Sequence, residues 1–146
     1  MAIEIDLNDM TEISVVVPVR EENENIKPFL QRTENILNAI GESYEIIFAL
    51  DPSSDNTEKV ILDEIEKNKN IKLLVFSRRF GQPASTIAGI LNCKSSYCVI
   101  IDVDLQDPPE MIQAAPDCGL VTLTGPVARA KLAAMVEGAR MARERV

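Results

Sequence analysis

The sequence predicts an α/β fold: a doubly wound parallel sheet of strand order 3-2-1-4 with helices on both faces. Three observations predict it. Four short apolar, β-branched runs alternate with three segments of helical periodicity, giving the order β-α-β-α-β-α-β. The first run is nearly continuous in its apolar character, as suits a strand covered on both faces, and the alternation implies right-handed crossovers. Each run also ends in charged or hydrogen-bonding residues, at the edge where open parallel sheets bind ligands.

The first strand is Ile13–Val19, the sequence ISVVVPV. A helix follows from about Glu24 to Ile40, because Ile26, Phe29, Leu30, Thr33, Ile36, Leu37 and Ile40 recur at helical spacing. Pro28 falls in its first turn, where a missing N–H costs little, and Gly41 is placed to end it. The second strand is Tyr44–Leu50. Asp55 is positioned to cap a second helix running to about Asn68, with Val60, Ile61 and Ile65 facing inward and Leu62 a fourth candidate. The third strand is Ile71–Phe76, the third helix roughly Pro83–Leu91, and the fourth strand Tyr97–Ile101. Beyond Pro108-Pro109 only one further element is clear. Gly125 and Pro126 open a helix to about Arg145 with the apolar stripe Leu132, Met135, Val136, Ala139 and Ala142.

The length of 146 residues suits one domain with one core. No apolar run approaches the roughly 18 residues that span a bilayer. The acidic N-terminus, MAIEIDLNDMTE, lacks the basic start and apolar core of a secretory signal, so the expected location is cytoplasmic. Three cysteines, Cys93, Cys98 and Cys118, without C-x-x-C spacing, argue against a disulfide framework. There is no histidine, which removes the commonest metal ligand and the commonest general base. A net charge of -8 disfavours binding to nucleic acid or to anionic membranes. The charge is uneven. Residues 113–146 hold five basic and three acidic side chains, and the preceding residues hold ten basic and twenty acidic, so a boundary is expected near residue 113.

The chemistry is expected at the carboxyl ends of the strands. Pro18, Arg20, Glu21 and Glu22 follow the first strand, Asp51 to Asp55 the second, and Ser77 to Gly81 the third. Asp102-Val103-Asp104-Leu105-Gln106-Asp107 follows the fourth. Two carboxylates two residues apart, Asp102 and Asp104, can share Mg²⁺ or Mn²⁺ with a diphosphate; as a bare triplet they read equally as a solvated acidic turn. Asp51 can accept a hydrogen bond from a base N–H, or simply open a turn. Arg78 and Arg79 can contact phosphates, or form ordinary surface ion pairs.

Three stretches carry a resemblance. Ile13–Ile26, ISVVVPVREENENI, resembles the opening strand and P-x-x-N-E-E loop of family 2 glycosyltransferases. Ser77–Gly89, SRRFGQPASTIAG, resembles the S-R-N-F-G-K-x-x-A-x-x-A-G segment of that family's polyprenyl- or dolichol-phosphate hexosyltransferase branch. Asp102–Glu110, DVDLQDPPE, nearly repeats the branch's D-A-D-L-Q-D-P-P-E. The order matches, and the resemblance spans residues 13–112. It implies a UDP- or GDP-sugar donor, with Asp51 on the base and with Pro18, Glu22 and Arg78 at the nucleotide. It also implies Asp102 and Asp104 on the diphosphate through Mg²⁺ or Mn²⁺. Gln106 and Asp107 would face the sugar, Asp107 being the one candidate for a catalytic role. The implied reaction is inverting transfer of a hexose to a lipid phosphate. Arg20-Glu21 stands where Y-N is usual, Leu50-Asp51-Pro52-Ser53 where D/N-D-G-S is usual, Arg79 in place of Asn and Gln82 in place of Lys, which leaves the donor open.

Residues 113–146 do not continue that resemblance. Ala115–Leu120, Val127–Leu132 and Met135–Arg140 resemble the C-terminal end of cobalamin-independent methionine synthases, in which the cysteine matching Cys118 is a zinc ligand. No zinc is expected here, because its partner ligands are missing and Cys118 reads as a free thiol. The expectation is one domain, 1–146. Residues 1–112 form its nucleotide-sugar-binding part, and 113–146 a foreign loop and helix covering a sheet face or edge. The segments that complete the family's sheet and acceptor site do not follow, so little or no transfer is expected. The apolar surface they would cover is a face through which two copies could pair. The alternatives are a non-catalytic recombined or engineered scaffold without a ligand, and a small enzyme whose acceptor site is built from 113–146.

Overall fold

A computed structural model of the chain describes residues 11–106, 108–110 and 112. The elements are β1 (Thr11–Val19), α1 (Ile26–Ile40), β2 (Tyr44–Leu50), α2 (Thr57–Lys67), β3 (Ile71–Val75), α3 (Gln82–Asn92) and β4 (Ser95–Ile100). All four strands are parallel and lie in the order β3-β2-β1-β4, as the sequence predicts. The expected C-terminal helix from Pro126, Cys118 and Asp107 lie outside the described residues.

β1 and β2 pair in register from Ile13 with Tyr44 to Val19 with Leu50, and every residue in that span is buried. Both are central strands, so both of their faces must be apolar. Ile13, Val15, Val17 and Val19 of β1 and Tyr44, Ile46, Phe48 and Leu50 of β2 face one core, closed by Ile26, Phe29, Leu30 and Leu37 of α1 and Ile61 of α2. Phe29 meets Phe48 edge to face with ring centroids 6.1 Å apart, an arrangement the ring quadrupoles favour. Val16 and Ile47 face the opposite side and form a second core with Cys93 and Cys98. There α3 lies so close to β1 that a Cβ on Gly89 would sit 2.2 Å from Val16 Cγ1.

α1 buries Ile26, Phe29, Leu30, Thr33, Ile36 and Leu37, the expected stripe, and ends in Gly41 at φ 80°, a backbone that glycine adopts without strain. α2 differs from expectation at two points. Leu62 is exposed, because Ile61 faces the core and its neighbour points away. Asp55 lies outside the helix, yet its Oδ1 still accepts the Thr57 N–H at 3.1 Å and so satisfies a donor at the helix start.

One buried charge in β2 has no counterpart in the sequence reading. Glu45 is 1% exposed at the amino end of the strand, far along β2 from the ligand-binding edge. Its carboxylate accepts hydrogen bonds from the Ser14 hydroxyl, the Lys72 ammonium and, at 2.9 Å, the Lys94 N–H. Burial pushes its pKa up. The Lys72, Lys94 and Ser14 hydrogen bonds and the Lys72 charge outweigh that and hold it below the ordinary 4.5. A folded pKa below the unfolded one stabilises above about pH 4.5, and that stability is lost as the pH falls through the folded value. Thermal unfolding followed from pH 7 to pH 3 is therefore expected to show a smaller acid-side fall in Tm for Glu45→Gln than for the wild-type chain. Equal falls would show that the unfolded chain protonates this carboxyl no more readily than the fold does.

Cys93 Sγ lies 3.3 Å from Cys98 Sγ, and no disulfide joins them. Contact with Cys93 and burial push the Cys98 thiol far above its usual range, so this pair serves as core packing.

Candidate functional site

The loops after the four strands converge because the strands are parallel and in register. Asp51 continues β2, and its N–H donates to the Val19 carbonyl at 3.1 Å, which places it beside the exit of β1. The loops after β1 and β2 are stitched together by short polar side chains. The Glu21 N–H donates to Ser53 Oγ at 2.9 Å, the Glu22 N–H to Thr57 Oγ1 at 2.8 Å, and the Asn23 N–H to Asp55 Oδ2 at 3.3 Å. Asp55 closes this lattice by also accepting from the Thr57 hydroxyl at 2.6 Å. Partial burial pushes the Asp55 pKa up, but the Thr57 hydroxyl and the Thr57 and Asn23 N–H groups bring it below its usual value. Glu22 is held in place by this network and accepts from Asn25 Nδ2 at 2.6 Å.

Asp51 then fixes the loop after β3. It is 3% exposed, and its two oxygens accept the Phe80 N–H at 3.2 Å and the Gly81 N–H at 2.7 Å. Gly81 sits at φ 87°, a backbone open to glycine and strained for other residues, and α3 begins at the next position. The loop after β4 turns through Leu105 at φ 62°, an uncommon conformation for a branched side chain. Leu105 packs against the main core, and Asp104 Oδ1 accepts the Gln106 N–H at 3.1 Å across the same turn. Beyond it, Arg32 of α1 forks onto Glu110 with contacts of 3.0 and 2.8 Å. Two strained non-glycine positions, Glu21 and Leu105, thus lie in loops at this edge, where backbone strain tends to concentrate at sites.

These loops enclose one cleft of about 280 Å³. Pro18, Glu22, Asp51, Asp102 and Asp104 line it, so five of the expected site residues meet there. Two do not. Arg78 stacks over the Phe80 ring at 4.8 Å, and its neighbour Arg79 lines the cleft instead. Gln106 is an exposed turn residue that lines no part of the cleft. Arg20, Gly81, Gln82 and Ser85 line it as well; Arg20 and Gly81 lie in loops expected at this edge, but none of the four is among the expected site residues.

Residues 14–115 match the family model described as glycosyl transferase family 2. The chain belongs to glycosyl transferase family 2. It is 37% identical over 106 residues to an uncharacterized glycosyltransferase of Synechocystis sp., covering 73% of this chain and 33% of that one. The fold is shared with the mannosyltransferase of Pyrobaculum calidifontis, solved with GDP-mannose and Mn²⁺. That match has a TM-score of 0.61 and 18% identity over 73% of this chain and 32% of the other. It is also shared with glucosyl-3-phosphoglycerate synthase of Mycobacterium tuberculosis, solved with UDP. Here the TM-score is 0.55 and the identity 20%, over 70% and 38% of the two chains. The family 2 domain here thus spans about a third of the length of the curated relative it matches.

The donor set of this family 2 cleft fits a divalent cation held jointly with a ligand. Asp102 and Asp104 supply hard carboxylate oxygens, which suit Mg²⁺ or Mn²⁺. Among the described residues, no three His, Cys, Asp or Glu side chains gather to hold an ion by themselves. An ion shared with a diphosphate needs no such third side chain. The four carboxylates of Glu22, Asp51, Asp102 and Asp104 outnumber the two guanidinium groups of Arg20 and Arg79, so the cleft as a whole repels a bare anion. Among the described residues no helix is long and apolar enough to cross a membrane.

Proposed function

We propose that this chain is the donor-binding part of a glycosyltransferase and takes a nucleoside diphosphate hexose, UDP- or GDP-linked, at the carboxyl edge of its sheet. One observation carries the reading. Asp51, which follows β2, and Asp102 and Asp104, which follow β4, line a single cleft together with Glu22, Arg20 and Arg79. Asp51 sits at the nucleoside end, its carboxylate already oriented by two N–H donors. Asp102 and Asp104 would hold Mg²⁺ or Mn²⁺ at the diphosphate. The chemistry that ion supplies is neutralisation of the charge on the departing diphosphate. Arg20 and Arg79 add fixed positive charge for phosphate oxygens. The GDP-mannose and Mn²⁺ of the Pyrobaculum mannosyltransferase and the UDP of the Mycobacterium synthase support this ligand class.

The acceptor belongs to the same proposal at a coarser level. The motif resemblance favours a lipid phosphate, whose oxygen would bond to the anomeric carbon as the bond from that carbon to the diphosphate breaks, with inversion. Transfer needs acceptor and donor held together, and the described residues are read here as the donor side. Calorimetric titration with UDP and with GDP, with and without Mn²⁺, tests the binding. Binding that is clearly tighter with Mn²⁺ than without it, for at least one nucleotide, is the expected result. A folded sample that gives no metal-dependent heat at millimolar nucleotide rejects the proposal.

A further inference from the structure

We propose that Gln82 is a positioning residue for Asp102 and that, by being neutral, it makes nucleotide binding by this cleft depend on a divalent cation. The inference rests on the donor-site reading above and extends it to a residue the motifs do not assign. Gln82 Nε2 donates to Asp102 Oδ1 at 2.9 Å, and both side chains line the cleft. The contact joins the start of α3 to the exit of β4, 20 residues further along the chain.

Gln82 is itself exposed, and an exposed amide would ordinarily be free to turn away. Its backbone is what holds it. Asp51, buried at the exit of β2, takes the N–H groups of Phe80 and Gly81, and this fixes the turn immediately before Gln82. The Ala84 and Ser85 N–H groups both donate to the Gly81 carbonyl at 3.1 Å, locking the first turn of α3 to the same point. Hydrogen bonds at either end, joined by the Gly81–Gln82 backbone, therefore lead from Asp51 through the Gly81 turn to Gln82 and on to Asp102. It connects the nucleoside end of the cleft to its metal end through protein atoms alone.

The chemistry of the amide matters as much as its position. A carboxamide donor orients a carboxylate and leaves its full negative charge in place. A lysine at the same point would cancel much of that charge and would itself offer a cation to phosphate oxygens. With glutamine there, the acidic excess of the cleft persists, and a diphosphate must bring a divalent ion with it. Gln82 thus sets both the direction of Asp102 and the cation requirement.

The test uses the whole chain, with UDP and GDP as probes, each titrated with and without Mn²⁺ into the wild type, Gln82→Ala and Gln82→Lys. Gln82→Ala is expected to weaken binding about three- to tenfold in Mn²⁺ and to leave metal-free binding unchanged. Gln82→Lys is expected to weaken binding in Mn²⁺ and to strengthen it without Mn²⁺, so that the ratio of the two affinities falls by about tenfold or more. A purely structural role at the helix start would lower both affinities alike in both variants, and that result overturns the inference while leaving the donor site intact. An unchanged ratio in Gln82→Lys overturns it too. Absence of any nucleotide binding by the wild type removes the donor-site reading, and this inference with it.

Discussion

Gly89→Ala is expected to destabilise the domain by about 1–3 kcal/mol, because the added methyl group has nowhere to go. Its Cβ would lie 2.2 Å from Val16 Cγ1 and 3.3 Å from both Val16 Cβ and Cγ2. Val16 is fully buried in a central strand paired on both sides, so it cannot yield. The helix must lift instead, and in lifting it draws Ile90 and its C-cap Cys93 away from the second core around Ile47 and Cys98. A domain of this size has only about 5–15 kcal/mol of total stability, so the loss shows directly in the denaturation midpoint. Trimming the obstructing side chain tests the cause. Val16→Ala costs stability alone, yet combined with Gly89→Ala it is expected to cost less than the sum of the two changes, since the clash is gone. Additive effects would place the damage elsewhere. The same helix begins with Gln82, so Gly89→Ala should also loosen the cleft in any folded fraction.

Asp104→Asn is expected to lower Mn²⁺-dependent affinity for UDP or GDP by about 100-fold or more, with stability changed by no more than about 0.5 kcal/mol. Two features separate function from fold here. Asp104 is exposed, and the hydrogen bond its Oδ1 accepts from the Gln106 N–H can be accepted equally by an asparagine oxygen. What is removed is one anionic oxygen donor and one negative charge. Asp102→Asn is expected to act in the same direction. Combining the two is expected to abolish the metal-dependent part of binding, while the metal-free part, which depends on Arg20 and Arg79, persists or rises. Calorimetry paired with thermal unfolding reads both effects. Unchanged affinity in a folded Asp104→Asn chain would remove this side chain from the metal end of the cleft.

The central strands were legible in the sequence because burial on both faces leaves an unbroken apolar run. β2 runs from Tyr44 to Leu50 as expected. The ends of other elements were less so, because they depend on distant partners. β1 begins at Thr11, two residues early, since the Thr11 N–H donates to the Lys94 carbonyl at 3.2 Å and the Glu12 and Ile13 N–H groups both reach the Ser43 carbonyl. β4 likewise begins at Ser95, which pairs with Thr11, where local pattern suggested Tyr97. Glu45 was invisible as a structural centre. Its partners Ser14, Lys72 and Lys94 lie 27 to 49 residues away, and no local period links them.

The acidic corners of the cleft were legible for a topological reason. A parallel sheet with this strand order brings the residues after each strand to one edge, so Asp51, Asp102 and Asp104 could be placed together without coordinates. The choice between Arg78 and Arg79 could not be made that way. The loop has no period, and its direction follows from Gly81 at φ 87° and from the two N–H groups bound by Asp51. One signal was present in the sequence for Gln82. It directly follows a glycine after a strand and opens a helix, a position that faces the carboxyl edge in this class of fold.

The most direct measurement of the central claim is nuclear magnetic resonance of the ¹⁵N-labelled chain with UDP or GDP and substoichiometric Mn²⁺, whose unpaired electrons broaden nearby amide signals. Broadening concentrated at Gly81, Gln82, Asp102, Val103 and Asp104, with Ser14, Glu45 and Cys98 at the other end of the sheet left sharp, is the predicted result. Broadening centred on that other end, or spread evenly over the chain, would contradict it.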